Sequence, residues 1–414
     1  MNLFPYAEEP LKGLCEELDQ WMTKLDFRGV LPRRWAGRLR RDLEAEAVAA
    51  STSMEGVPVT VEEVRRILAG EPPSDVRKED RELVEGYRDA MNYVLRRADD
   101  PGFRWDRELV VGLHDRILAG RHGLGAGRLR TDRPAFVVNS LTGQQVFLPP
   151  PGAEVLGLVD EACRIMEERS AHPAVAAAWI HLAVAAIHPF KDGNGRAARV
   201  LASLAMYRGN FKRREFTSLE EWWGRHLADY YEAFACLGRE FDAQADVTPF
   251  LEAHIGAQLH QIRALENREK VERQIWTALE EVAEDANLDP RVANALWDAF
   301  FERDVTAGYY RSLTDVSAAT ATKDLAAATS AGLLHPVGQR RGRRYLPTEA
   351  MYKAVGGAFL IQVSGPVDVA RAGIVSELSR RLTWTGEAFG LEPVDDHDQE
   401  DDEHDRQGLS RRSR

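Results

Sequence analysis

His188-Pro189-Phe190-Lys191-Asp192-Gly193-Asn194-Gly195-Arg196-Ala197-Ala198-Arg199 is a polar dodecamer between two apolar runs. Ala174 to Ile187, ahead of it, has the composition of a buried helix. Ala197 to Tyr207, behind it, is a second helix former rich in Ala and Leu. The pattern predicts a loop clamped between two core helices. That is a costly place for a His, an Asp and two Arg unless something binds there.

The residue types say what could bind. Gly193 and Gly195 remove side chains where a backbone must approach a ligand. Asn194 suits the cap of the second helix, whose next N–H groups would lack partners. Free N–H groups at the positive end of a helix form an anion site. An Arg in a first helical turn opposes the dipole, at a cost of roughly 0.3–1 kcal/mol. Arg196 and Arg199, three apart on one face, make sense beneath a multiply charged anion. Asp192 beside that anion would suit an oxygen-ligated Mg²⁺. His188 can carry a proton near neutral pH. A base, a metal carboxylate, an amide nest and two Arg together describe phosphoryl or nucleotidyl transfer. A P-loop is excluded because Gly-Lys-Ser/Thr is missing, and the order of ligands is not that of an EF-hand. His181 lies seven residues before His188 and could share its face, but no third ligand has metal spacing, which favours a satisfied core His.

The dodecamer resembles the Fic signature, His-x-Phe-x-Asp/Glu-Gly-Asn-Gly-Arg-x-x-Arg, at every fixed position. The resemblance implies a mainly α fold: a Fic-type helical bundle with a small β-hairpin flap. It also implies transfer of AMP from ATP to a Ser, Thr or Tyr hydroxyl of a protein, or of the chain itself. His188 would be the general base and Phe190 the anchor of the loop. Asp192 would hold Mg²⁺ on the α- and β-phosphates. Gly193, Asn194 and Gly195 would present amides to the phosphates, and Arg196 and Arg199 would hold the outer ones. The likeness covers about residues 10–260.

Upstream, Glu44 to Ala50 is a plain helix former that runs into Ser51-Thr52-Ser53-Met54-Glu55-Gly56. A helix ending in Gly is its ordinary explanation. Ser51, Glu55 and Gly56 also match the inhibitory motif of the same family, Ser/Thr-x-x-x-Glu-Gly/Asn. The resemblance then implies that Glu55 pairs with Arg199 and keeps it from the γ-phosphate. A charge-assisted bond is enough for that. Thr60 and Glu63 are spaced as a capping box for a helix over Val61–Ala69.

Further helices are expected over 76–98, Trp105 to Ala119, Glu154 to Arg169, Leu219 to Leu237 and Thr248 to Asn267. Ala135–Asn139 and Gln144–Leu148 flank a turn and predict a hairpin. The family resemblance makes that hairpin a flap that holds the target segment by strand addition. Residues 269–350 read as a separate domain that resembles a winged helix-turn-helix. Its helices are Val271 to Val282, Ala293 to Phe301 and, after Tyr309–Leu313, Ser317 to Ala331. Its wing carries Arg340, Arg341, Arg343 and Arg344. From Arg303 to Arg344 there are seven Lys/Arg and three Asp/Glu, a net of +4 in a chain of net -12. DNA contact on one side, and dimerisation or target docking on the other, stand level as uses for it, because the Ala-rich helix offers few base readers beyond Thr320, Thr322 and Lys323. The expected division is therefore 1–75 with the inhibitory motif, 76–265 catalytic, 269–350 winged helix, 351–392 helical, and 393–414 a disordered acidic and basic tail.

Composition narrows the class. The chain has 414 residues, 44% hydrophobic and 29% charged, which suits a globular protein. No run of about 18 apolar residues predicts a membrane span, and Met1 to Leu11 lacks the pattern of a signal peptide. Cys15, Cys163 and Cys236 are scattered and odd in number, which fits a reducing cytoplasm. Two other functions compete with AMP transfer. One is a DNA-binding regulator in which the nucleotide site is a sensor. The other is removal of AMP, with Glu55 orienting a water. A second copy of the chain is a further candidate partner.

Overall fold

A computed structural model describes residues 3–26, 44–68, 70, 73–131, 137–138, 145–212, 219–303, 305–339 and 342–387. The chain divides into two compact units, Met1–Arg263 and Ala264–Arg414. Residues 27–43, Arg340, Arg341 and the tail 393–414 lie outside the described residues.

The first unit is helical. Its elements are α1 (Glu9–Asp26), α2 (44–53), α3 (Val61–Leu68), α4 (Lys78–Arg97), α5 (Arg107–Ile117), α6 (Gly152–Glu168), α7 (Pro173–Ile187), α8 (Asn194–Arg208), α9 (Leu219–Arg225) and α10 (Leu227–Ala233). Helix α11 (Thr248–Asp285) begins in this unit. The centre is the antiparallel pair α7 and α8, with α1 and α6 on α7, and α4 and α5 on α8. Helix α7 is apolar all round and nearly all of it is buried, as an apolar helix with no polar face must be. Pro173 opens it, where a missing N–H costs nothing.

The expected capping box forms: Thr60 N–H donates to Glu63 Oε2 at 2.7 Å and Glu63 N–H to Thr60 Oγ1 at 3.2 Å. The hairpin is present as β1 (Val137–Val138) and β2 (Gln145–Phe147), antiparallel, with Val137 opposite Phe147 and Val138 opposite Gln145. Ala135, Phe136, Asn139 and Gln144 of the predicted strands lie outside the described residues, and Leu148 bridges to Glu240 instead.

Two expectations are corrected. Leu219 to Leu237 is not one helix. It breaks at His226, whose backbone leaves helical space (φ -115°, ψ 54°). The His226 ring stacks on Trp222 at 3.9 Å and its Nδ1 lies 2.9 Å from the Trp222 carbonyl. The Trp222 carbonyl thus meets the ring as well as the His226 N–H, which donates to it at 3.0 Å. In contrast, Thr248 to Asn267 and Val271 to Val282 are one 38-residue helix, α11, because no Gly or Pro interrupts the charged stretch between them.

The second unit contains α12 (Ala293–Phe300), α13 (Ala307–Thr314), α14 (Ala318–Ser330), α15 (Glu349–Ala358) and α16 (Val367–Glu387), with a hairpin of β3 (Leu334–Val337) and β4 (Arg344–Pro347). Asp315, at φ 52°, turns the chain between α13 and α14. Ser317 caps α14 through Thr320 N–H at 3.1 Å. Arg291 grips Asp324 of α14 with two bonds, at 2.7 and 3.1 Å, and the Tyr310 hydroxyl donates to the same carboxylate. Among the described residues, no helix is long and apolar enough to cross a membrane.

Candidate active site

Helix α7 ends at Ile187, and His188 caps it in the left-handed region (φ 49°, ψ 58°). A non-glycine residue there costs roughly 1–2 kcal/mol, so its surroundings must hold it. Its N–H donates to the Val184 carbonyl at 3.0 Å. Its Nδ1 sits 3.3 Å from the Ala185 carbonyl. A hydrogen on Nδ1 leaves the Nε2 lone pair as the proton acceptor. Burial holds the imidazole below its ordinary range, and Arg130 pushes it the same way. The Ala185 carbonyl and the carboxylates of Glu55 and Asp192 oppose them. His188 is therefore neutral at pH 7, the form a base needs.

The loop after it is built around Phe190, which is fully buried. Its ring stacks on His114 of α5, with centroids 3.6 Å apart and planes 6° from parallel. Nε2 of His114 donates to the Asp192 carbonyl at 2.8 Å, while Nδ1 accepts from Gly127 N–H at 3.1 Å. Asn194 does not act as the cap. Gly193, at φ 75°, is the N-cap of α8, a conformation that suits glycine. Asn194 is the first helical residue, and its amide clasps Phe190 instead. Oδ1 accepts from Phe190 N–H at 2.9 Å and Nδ2 donates to the Phe190 carbonyl at 3.0 Å. The loop is closed on itself before any ligand arrives.

The two Arg of α8 differ in what they hold. Both side chains are buried, at 3% exposure. Arg196 Nη2 donates to Asp192 Oδ1 at 3.1 Å, and Asp192 stays 42% exposed. Nε and Nη1 of Arg196 are buried with no partner among the described residues. Buried donors of a permanent charge rarely stay unused. Arg199 is fully engaged. Nε donates to Ser51 Oγ at 2.8 Å, and Nη2 donates to the Ser51 carbonyl at 2.9 Å and to Glu55 Oε1 at 3.0 Å.

Glu55 arrives there by ordinary helix termination. Gly56, at φ 77°, ends α2, with Gly56 N–H donating to the Ser53 carbonyl and Val57 N–H to that of Thr52. These are the paired bonds of a Schellman terminus. The terminator and the clasp are thus the same residues. Gly195 faces them: a Cβ there would stand 2.2 Å from Glu55 Oε1 and 3.0 Å from Arg199 Nη1. Gly195→Ala is expected to dislodge Glu55 and loosen residues 51–57, seen as faster amide hydrogen exchange there. Unchanged exchange would mean that the contact is slack.

Behind Arg199 lies a buried polar layer. The Tyr87 hydroxyl donates to Glu220 Oε1 at 2.9 Å. His181 uses both ring nitrogens, one on His254 and one on Tyr230, each at 3.1 Å, so it is a core histidine with its own partners. Burial depresses both His181 and His254, the latter to about 3. Both are neutral in the folded chain and take up protons on unfolding. Stability contributed by their neutral forms is whole above about pH 6.5 and falls as pH drops below it, by about 1.4 kcal/mol per pH unit for each. Melting between pH 7 and 5 should therefore fall less steeply in His254→Gln than in the parent, and parallel curves would contradict this.

Residues 104–206 match the family model described as Fic/DOC. The chain carries a Fic domain. The matched stretch runs from just before α5 to residue 206 of α8, so it holds the whole His188–Arg199 stretch and leaves Ser51–Gly56 outside. A Fido domain-containing protein of Dictyostelium discoideum is 39% identical over 71 residues, 17% of this chain and 50% of the relative. "Protein adenylyltransferase Fic" of Nematostella vectensis is 27% identical over 236 residues, 55% of this chain and 51% of the relative. This chain thus spans about half the length of these two curated relatives. The crystal structure of a Fic family protein from Desulfovibrio desulfuricans G20 is 21% identical, with a TM-score of 0.53, covering 84% of this chain and 98% of that one. At that identity the likeness speaks for the fold.

The Fic domain also uses residues that patterning passed over. His114 sits with Val110, Leu113 and Ile117 at helical spacing, so its place on a buried face was visible. Its partner in the loop was not. Arg130 is the larger omission. Nε donates to the His188 carbonyl at 2.7 Å, and Nη2 to the carbonyls of Pro150 at 2.7 Å and Ile187 at 3.0 Å. Nothing in Arg128-Leu129-Arg130 marks the second Arg as the one turned inward. Glu220, buried beneath Arg199, likewise reads as an exposed helix-start acid in Leu219-Glu220-Glu221.

Proposed function

We propose that the Fic domain transfers AMP from ATP to a Ser, Thr or Tyr hydroxyl of a protein, and that Glu55 restrains it. The observation that carries the proposal is Arg196: a buried, permanently charged side chain at the start of α8, with two nitrogens that have no partner among the described residues, in the loop-helix segment that follows a neutral His188. A polyphosphate anion supplies the missing acceptors. The name of the Nematostella relative supports adenylyl transfer.

In this mechanism the triphosphate lies over the start of α8, against the amides of Gly193, Asn194 and Gly195. Arg196 satisfies its free nitrogens on the phosphate oxygens. Arg199 reaches the γ-phosphate once Glu55 leaves. His188 Nε2 takes the hydroxyl proton as that oxygen bonds to the α-phosphorus; the bond to the bridging oxygen breaks and pyrophosphate departs. Asp192 is an exposed carboxylate at the same edge, which fits Mg²⁺ held by one or two carboxylates and phosphate oxygens. Such an ion would neutralise charge on the α- and β-phosphates. The test is label position. With the Glu55→Gly variant and Mg²⁺, ATP labelled at the α-phosphate should mark protein and ATP labelled at γ should not. Marking from γ, or none from a folded variant, would remove the proposal.

A second reading concerns the Ala264–Arg414 unit. The order α13, Asp315 turn, α14, β3–β4 hairpin, with its net positive charge, supports a winged helix that contacts DNA phosphates through Arg343 and Arg344 together with Arg340 and Arg341. Binding of a labelled duplex at low salt should be lost when the four Arg become Ala. A unit that ignores duplex but self-associates would instead be a dimerisation module. Cys15, Cys163 and Cys236 are free thiols, which supports a reducing compartment.

A further inference from the structure

Arg130 stands where three pieces of backbone meet. Its own N–H donates to the Pro189 carbonyl at 2.9 Å. Its side chain spans the carbonyls of Ile187 and His188, the last turn of α7, and reaches across to that of Pro150. Pro150 follows β2, and Arg130 itself precedes β1, so the side chain ties both feet of the hairpin to the first residues of the catalytic loop. The carbonyls at a helix C-terminus have no helical partners and carry the negative end of its dipole. A guanidinium satisfies several of them at once, in a fixed plane, which an ammonium cannot do.

We propose that Arg130 is the positioning residue of the proposed general base: by gripping Ile187, His188 and Pro150 together it keeps His188 in its left-handed conformation with Nε2 facing the nucleotide site. It touches neither nucleotide nor acceptor and acts through His188. The inference rests on the adenylyl-transfer reading for its kinetic consequence, but not for its structural one. His188 is faced by Arg130 from the segment before the hairpin, by Glu55 from the end of α2 and by Asp192 from its own loop. Arg130 is the cation in that set and favours neutral imidazole.

The test separates geometry from charge. Arg130→Gln and Arg130→Lys are made in the Glu55→Gly background, and the His188 titration is followed by NMR with labelled histidine, without nucleotide. In Arg130→Gln the His188 midpoint should rise, and kcat should fall about 10²-fold, the scale of an ångström misplacement, with KM changed far less. In Arg130→Lys the charge remains, so the midpoint should stay low, but kcat should stay depressed because a single nitrogen on a flexible stem does not reproduce the fixed span of Nε and Nη2 across the three carbonyls. A folded Arg130→Gln variant with kcat and midpoint both unchanged overturns the proposal. If Arg130→Gln does not fold, Arg130→Lys decides, and parental kcat there overturns it. A parent without AMP transfer would fail the functional reading alone, and the midpoint would still judge Arg130.

Discussion

Glu55→Gly is expected to raise the rate of AMP transfer by on the order of 10²-fold, the effect of restoring alignment lost by about an ångström. The physical reason is competition for one guanidinium. Arg199 is buried, and its Nη2 already donates to Glu55 and to Ser51. A γ-phosphate can have that nitrogen only if the carboxylate gives it up. Removing Glu55 leaves the two bonds to Ser51, so Arg199 stays in place and the fold should melt close to the parent. Glu55→Gln is the companion: it keeps the shape, loses the charge, and should activate less. The measurement is protein-bound label from α-labelled ATP against time. A folded Glu55→Gly variant no faster than the parent would end the autoinhibition proposal. Should the parent strip AMP from a pre-modified protein, and Glu55→Gly fail to, the carboxylate is orienting a water instead.

His188→Ala, placed on Glu55→Gly, is expected to lower kcat by about 10²–10⁴-fold, the usual share of a positioned base. ATP affinity should hardly change if, as proposed, Arg196, Arg199 and the α8 amides carry the binding. Activity of the Glu55→Gly parent should have an acid limb below the ordinary imidazole range, since burial keeps His188 neutral to lower pH. Below that midpoint His188 is protonated and cannot accept; above it the rate is flat. Loss of nucleotide affinity without loss of kcat would assign His188 to binding, and unchanged rates would discard it as the base.

The fold was legible where one periodicity ruled. The apolar run of α7 and the Ala-Leu run of α8 specify buried helices without help from the rest of the chain, and the glycines between them specify a sharp turn. Thr60 and Glu63 announced their box because its bonds span three residues. Illegible features depend on partners far along the chain. Arg130 meets a carbonyl 58 residues away, and Tyr87 a carboxylate 133 away. Asn194 stands one position past the cap its residue type suggests, because its side chain bonds backward to Phe190 rather than forward into α8, and cap propensity does not see that alternative. The break at His226 coincides with an aromatic stack on Trp222 that helical patterning does not count.

The N-terminal strip closes the first unit on itself. Leu3 and Phe4 are fully buried, and Phe4 takes the Trp179 indole N–H on its carbonyl at 3.1 Å. Phe4 N–H donates to the Ala243 carbonyl, Val247 N–H to that of Pro5, and Ala7 N–H to Thr248 Oγ1, 241 residues downstream. On a ribosome adding 5–20 residues per second, the strip waits roughly 10–50 s for those partners to emerge. Until then nothing at residues 243–248 holds the strip, and with it the Phe4 carbonyl, against the Trp179 indole of α7. The core of the first unit is a ring fastened only after Thr248 has been added, so a nascent chain cannot finish that interior from the front.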